Sequence, residues 1–99
     1  MAAVVSYVTG TVAADRQASL VEQFRAGVAA GLPPAIASTM LVRDGDDVGI
    51  LSVWRDADDL RAMIATAEEP FARRVIREAG GTPSVRIFEV LVAGEHHPG

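Results

Sequence analysis

Ile36-Ala-Ser-Thr-Met-Leu-Val-Arg-Asp-Gly-Asp-Asp-Val-Gly-Ile-Leu-Ser-Val-Trp54-Arg-Asp-Ala-Asp-Asp-Leu60 decides the fold of this chain. Two apolar runs, 36–43 and 48–55, flank Asp44-Gly45-Asp46-Asp47. An Asp-Gly step between such runs is a strong hairpin signal. Pairing them about the turn sets Trp54 opposite Ala37, Ser52 opposite Thr39 and Ile50 opposite Leu41. Asp56 then stands as a helix N-cap. Asp58 and Asp59 follow in the first turn, where carboxylates complement the helix dipole.

Upstream, residues 3–12 are rich in Val and Thr and suit a strand. Asp15 offers a cap to a helix whose apolar stripe is Leu20, Val21, Phe24 and Val28. Gly31 and Pro33-Pro34 end it. Downstream, Leu60, Met63, Ile64 and Ala67 form the buried stripe of the helix opened by Asp56. Pro70 interrupts it, and Phe71, Val75 and Ile76 carry a helical face on to Gly80-Gly81. A last strand is expected from Ser84 to Val92, and 94–99 as a flexible tail. The order is β-α-β-β-α-β. The predicted class is α+β, ferredoxin-like: a four-stranded antiparallel sheet with helices on one face, in one domain spanning 1–99.

Neither face of that sheet reads as polar. One face of the hairpin carries Met40, Val42, Leu51 and Val53. The last strand has Val85, Ile87 and Leu91 on one side and Phe88, Val90 and Val92 on the other. Of the 99 residues, 49% are apolar, a large share for so small a body. An uncovered apolar face implies a partner, and a homodimer with sheets packed face to face is the expected one.

The formal net charge is −4 and all nine cationic side chains are Arg. This lacks the basic field that nucleic-acid binding requires. There is no Cys, so no disulfide and no thiolate metal site. The N-terminus has no basic region before its apolar residues, and no run approaches a membrane span. A cytoplasmic protein that binds neither nucleic acid nor membrane is expected.

Candidates for binding a small apolar or aromatic ligand are Trp54, Tyr7, Thr39, Ser52 and Ile64. The lone Trp beside two small hydroxyls suggests a cleft between sheet and helices, and Tyr7 on the first strand offers a hydroxyl. The alternative for Trp54 is a core anchor. No catalytic base is evident. Glu89 alternates with apolar residues and reads as an ion-pair partner, with an Arg across the dimer as the expected mate and a carboxylate facing a pocket as the alternative. Arg73, Arg74 and Arg77 read as dipole complements with Glu69–Arg73 and Arg74–Glu78 pairs. Asp44, Asp46 and Asp47 lack calcium-loop spacing. His96 and His97 beside Glu95 make at most a weak metal ligand set. No cofactor or metal is expected.

The segment Leu41–Leu60, with its acidic hairpin, apolar strand, terminal Trp54 and acidic helix opening, resembles the antibiotic-biosynthesis-monooxygenase-like domain of the dimeric α/β-barrel superfamily. The Leu32-Pro33 loop and the break at Pro70 fit as well, and the resemblance spans roughly residues 3–93. It implies a homodimeric barrel. As an activity it implies a cofactor-independent monooxygenase acting on an anthrone, hydroquinone or other polyketide-like aromatic. The haem-degrading members use an Asn, the Trp and a helical His. Only Trp54 carries over, since the chain has no Asn and the 56–80 helical region no His. Polyketide cyclases and isomerases of the same superfamily, and a non-catalytic binding or structural dimer, are the alternatives.

Overall fold

The computed structural model describes residues 3–65 and 69–94. Ala67, expected on a buried stripe, and the Glu95-His96-His97 tail lie outside the described residues. The described residues form seven elements, in the order β1 (Val4–Thr11), α1 (Ala14–Ala29), β2 (Ile36–Asp44), β3 (Asp47–Trp54), α2 (Ala57–Ile64), α3 (Phe71–Glu78) and β4 (Ser84–Glu89). The sheet is antiparallel with strand order β2-β3-β1-β4. This is the α+β ferredoxin-like arrangement that the order of elements predicts, with the second helical region split in two before Pro70.

The hairpin closes on a two-residue loop, Gly45-Asp46, between the paired Asp44 and Asp47. Gly45 sits at φ 61°, a left-handed conformation that costs glycine little. Thr39 pairs with Ser52 and Leu41 with Ile50, as the turn implies. The third pair differs. An irregularity between Ile36 and Ser38 places Ile36, not Ala37, opposite Trp54. An extra residue in one strand is a β-bulge, and it shifts everything beyond it by one position.

Two caps also separate. Asp56 is an N-cap whose Oδ1 accepts from the Asp58 N–H at 2.9 Å. Asp15 is not one: α1 starts two residues earlier than such a cap would set, its cap position is Ala13, and no side chain caps it. Asp15 instead lies in the first turn, where its charge still favours the dipole. At the far end β4 stops at Glu89. A single bond from the Val90 N–H to the Ala3 carbonyl extends the pairing. Leu91 and Val92, expected within the strand, lie beyond it and are almost wholly exposed.

Cross-strand pairing sorts the sheet into rows, because directly opposed residues share a face. Three rows run beneath the helices: Val8–Ile50–Leu41, then Ser6–Ser52–Thr39, then Val4–Trp54–Ile36. The first belongs to the main core, with Val12, Leu20, Val48, Val75, Ile76 and Ala79. The third belongs to a smaller cluster with Leu60, packed by Ala35, Ala57 and Met63. A belt of hydroxyls thus divides the apolar interior. The opposite face carries Val5, Tyr7, Met40, Val42, Leu51, Val53 and Phe88, and no described helix covers it. Met40, Val42 and Phe88 are exposed there.

Candidate functional site

Trp54 ends β3 with its indole 4% exposed among Val4, Leu60 and Met63. Its Nε1–H donates to the Ser6 hydroxyl at 3.0 Å. A buried indole N–H without a partner would be costly, so Ser6 explains how Trp54 can be buried. The cleft expected beside Trp54 is therefore filled by Leu60, Ala57 and Met63. Thr39 and Ser52 do meet, hydroxyl to hydroxyl at 2.9 Å. They and Trp54 lie on the helix-facing side.

Tyr7 lies on the other side. It pairs with Leu51 and Arg86, and its ring crosses Gly49 so closely that a β-carbon there would sit 2.5 Å from Cε1. It cannot share a pocket with Trp54 within one protomer. With Val42, Arg43, Asp44 and Asp47 it borders a shallow polar depression beside the hairpin. Ile64, expected to face inward, is 52% exposed at the end of α2. The five predicted ligand residues thus fall in three places.

What the helix-facing side does leave open is a groove of about 680 Å³ between α1 and β2. Its walls are Val21, Phe24 and Val28 of α1 and Thr39 and Leu41 of β2. The apolar stripe of α1 is genuine, but the helix seats Leu20 in the core and leaves Val21 and Val28 more than a third exposed. Gln17, Arg25 and Arg43 supply the groove's polar groups. The buried Gln17 amide donates to the Val12 and Gly45 carbonyls at 3.0 and 3.1 Å. Its Oε1 accepts from Arg43 Nη1 at 3.0 Å. Gln17 therefore ties helix, hairpin turn and β2 together and fixes the guanidinium at the groove's end.

Sequence reasoning missed Ser6, Gln17, Arg25 and Arg43. The signal for Ser6 was a hydroxyl between Val4 and Val8 on the inward row of β1. The signal for Gln17 was a carboxamide three residues before Leu20, on the buried face of the helix. Neither groove arginine lies in any local motif, because the groove exists only once α1 and β2 are brought together.

Among the other charged groups, Glu69 takes three bonds from Arg77 at 2.8–3.1 Å rather than pairing with Arg73. Those bonds hold its carboxyl below the usual carboxylate range and raise the Arg77 guanidinium. Arg74 pairs with Glu78 at 3.6 Å, as expected from i,i+4 spacing. Glu89 is exposed, opposite Val4, and has no ion-pair partner among the described residues. No cluster of three His, Asp or Glu side chains among the described residues is placed to hold a metal ion. No described helix is long and apolar enough to cross a membrane.

No family model and no curated protein matches the sequence. Solved structures do match, over nearly the whole chain. A candidate antibiotic biosynthesis monooxygenase from Deinococcus radiodurans superimposes with a TM-score of 0.70 at 15% identity, covering 96% of this chain and 99% of its own. SnoaB, a cofactor-independent oxygenase from Streptomyces nogalater, gives 0.60 at 20% identity, with 100% of both chains covered. A protein of unknown function from Nitrosomonas europaea gives 0.72 at 14% identity, covering 99% and 98%. The fold is thus that of antibiotic biosynthesis monooxygenases, as the segment Leu41–Leu60 implies. At such identities the likeness is one of fold.

Proposed function

We propose that this chain is a cofactor-independent monooxygenase of small aromatic substrates, bound in the groove between α1 and β2. The observation that carries the reading is the groove itself. Phe24, Val21 and Val28 on α1 and Leu41 on β2 offer apolar walls, and Thr39 and two guanidiniums put donors in the lining. The full-length likeness to SnoaB supports the reaction class. Among the described residues, no carboxylate and no His lines the groove. The fitting substrate is therefore acidic by itself, such as an anthrone or a hydroquinone. For an anthrone, the CH2 carbon becomes a carbonyl: two C–H bonds and the O–O bond break, and new bonds join carbon to one oxygen. Four electrons pass from carbon to O2, and the second oxygen leaves as water.

Trp54 serves this site from beneath. With Ser6 it anchors the end of β3 whose Ser52 holds Thr39 at the groove wall. The working unit is a homodimer through the open sheet face, whose apolar residues would otherwise meet water. Tyr7 lies in that interface. Leu51→Asp is expected to give monomers by sedimentation, while the wild type sediments as a dimer at micromolar concentration.

Oxygen uptake with a panel of anthrones and hydroquinones tests the chemistry. Uptake above the uncatalysed rate, lowered by Val28→Trp across the groove, is expected. Uptake equal to buffer alone for every substrate removes the reading. That no carboxylate or His is among the groove's described lining residues favours one alternative, a holder of small aromatics without turnover, which predicts binding with no product.

A further inference from the structure

Resting on the groove as the ligand site, we infer that it binds its ligand as an anion, an aromatic carboxylate or phenolate whose charge lies between Arg25 and Arg43. The chain is acidic overall, and the described ion pairs all lie on α2 and around α3: Arg61–Asp58, Arg74–Glu78 and Arg77–Glu69. Arg25 has no hydrogen bond or ion pair among the described residues. Arg43 has one bond, to the neutral Gln17. Lack of a carboxylate does not by itself mark a site, since Arg16, Arg55 and Arg73 also lack one among the described residues. Arg25 and Arg43 differ in their place. Both line one groove whose remaining walls are chiefly Val, Leu and Phe.

Gln17 adds a second, independent feature. It spends both described amide bonds on backbone carbonyls and its oxygen on Arg43, so the guanidinium is held by an uncharged group. An uncharged holder orients a cation without neutralising it. Arg43 has N–H groups left for a ligand beyond the one bond to Gln17, and a planar fork suits a carboxylate or phenolate oxygen. The ionised ligand needs no protein base, which agrees with the absence of one from the groove's described lining.

The test compares 1-naphthoate with 1-naphthamide, which share the ring and differ in charge, by calorimetric titration of the full chain. Naphthoate is expected to bind about tenfold tighter, a margin that shrinks as salt rises. Arg43→Met and Arg25→Met are each expected to weaken naphthoate severalfold and leave naphthamide unchanged. Arg16→Met, outside the groove, is expected to change neither. 4-Nitrophenol is expected to bind above its own pKa and not below it. Equal affinity for naphthoate and naphthamide, no binding of either, or unchanged naphthoate affinity in both groove variants with native circular dichroism, overturns the inference. If charge-selective binding stands but oxygen uptake is absent, the oxygenase reading fails and the anion site survives.

Discussion

Ser6→Ala takes away the single oxygen on which the Trp54 indole depends for a partner. Ser6 and Trp54 are 7% and 4% exposed, so water cannot replace the lost acceptor without entering the core. The indole N–H, 3.0 Å from the hydroxyl, would be left buried and unpaired. Such a group costs about 1–3 kcal/mol. For a domain near this length, each kcal/mol lowers Tm by roughly 4–8 °C, so a fall of about 10 °C is expected. Urea unfolding followed by circular dichroism, at one fixed protein concentration, should show a lower midpoint with an unchanged slope. Trp54→Phe removes the donor, and in that background Ser6→Ala should cost at least ~1 kcal/mol less, a coupling the double-mutant cycle reads directly. Acrylamide should quench Trp54 poorly in the wild type and better in Ser6→Ala. A Ser6→Ala cost below ~0.5 kcal/mol with an additive cycle would refute the reasoning, because Trp54 would then not depend on Ser6 for its burial.

Gly27→Ala would normally stabilise a helix by a few tenths to 1 kcal/mol. Here the Phe71 ring occupies the space of the new β-carbon, so a loss of about 1–3 kcal/mol in chemical denaturation is expected instead. Asp56→Ala removes the bond to the Asp58 N–H and should cost ~1 kcal/mol, read as a Tm drop of several degrees. The Glu69–Arg77 pair lowers the folded pKa of Glu69. Its stabilisation is present above the ordinary carboxylate pKa and is lost as pH falls through the lowered one. Glu69→Gln should therefore flatten the acid limb of a Tm-against-pH curve and, the pair being exposed, change it only slightly.

The fold was legible because its signals are local. The Asp-Gly turn aligned Thr39 with Ser52 and Leu41 with Ile50, and Asp56 announced α2. Local signals failed where a non-local term decides. Ala37 carries no mark of a bulge, so the pairing implied by the turn sets Trp54 one residue off. Asp15 resembles a cap, but the chain entering from Val12 begins the helix earlier. Val21 and Val28 have the spacing of buried residues, yet they line the open groove between α1 and β2 and stay exposed. Leu91 and Val92 continue an apolar run past the last pairing partner on β1. The expected cleft at Trp54 was lost for a related reason. An aromatic beside hydroxyls fits both a pocket wall and a packed anchor, and only the position of Ser6 across the sheet distinguishes them. The arginines of the groove were invisible because they come from separate elements, 18 residues apart by their numbers.

The kink at Ala37 bears on how this molecule keeps company with its own kind. β2 is an outer strand of the sheet, and the backbone groups on its free side offer a template to any extended peptide. A bulge breaks the even spacing that such docking needs, and it sits at one end of the strand while Arg43 and Asp44 guard the other. A chain shortened by Ala37 would present a straighter ribbon of Ser, Thr, Met and Val to its neighbours. The irregularity that misleads a pairing scheme thus also shields against fibre-like stacking, which makes the site a poor place to tidy the strand in any redesign.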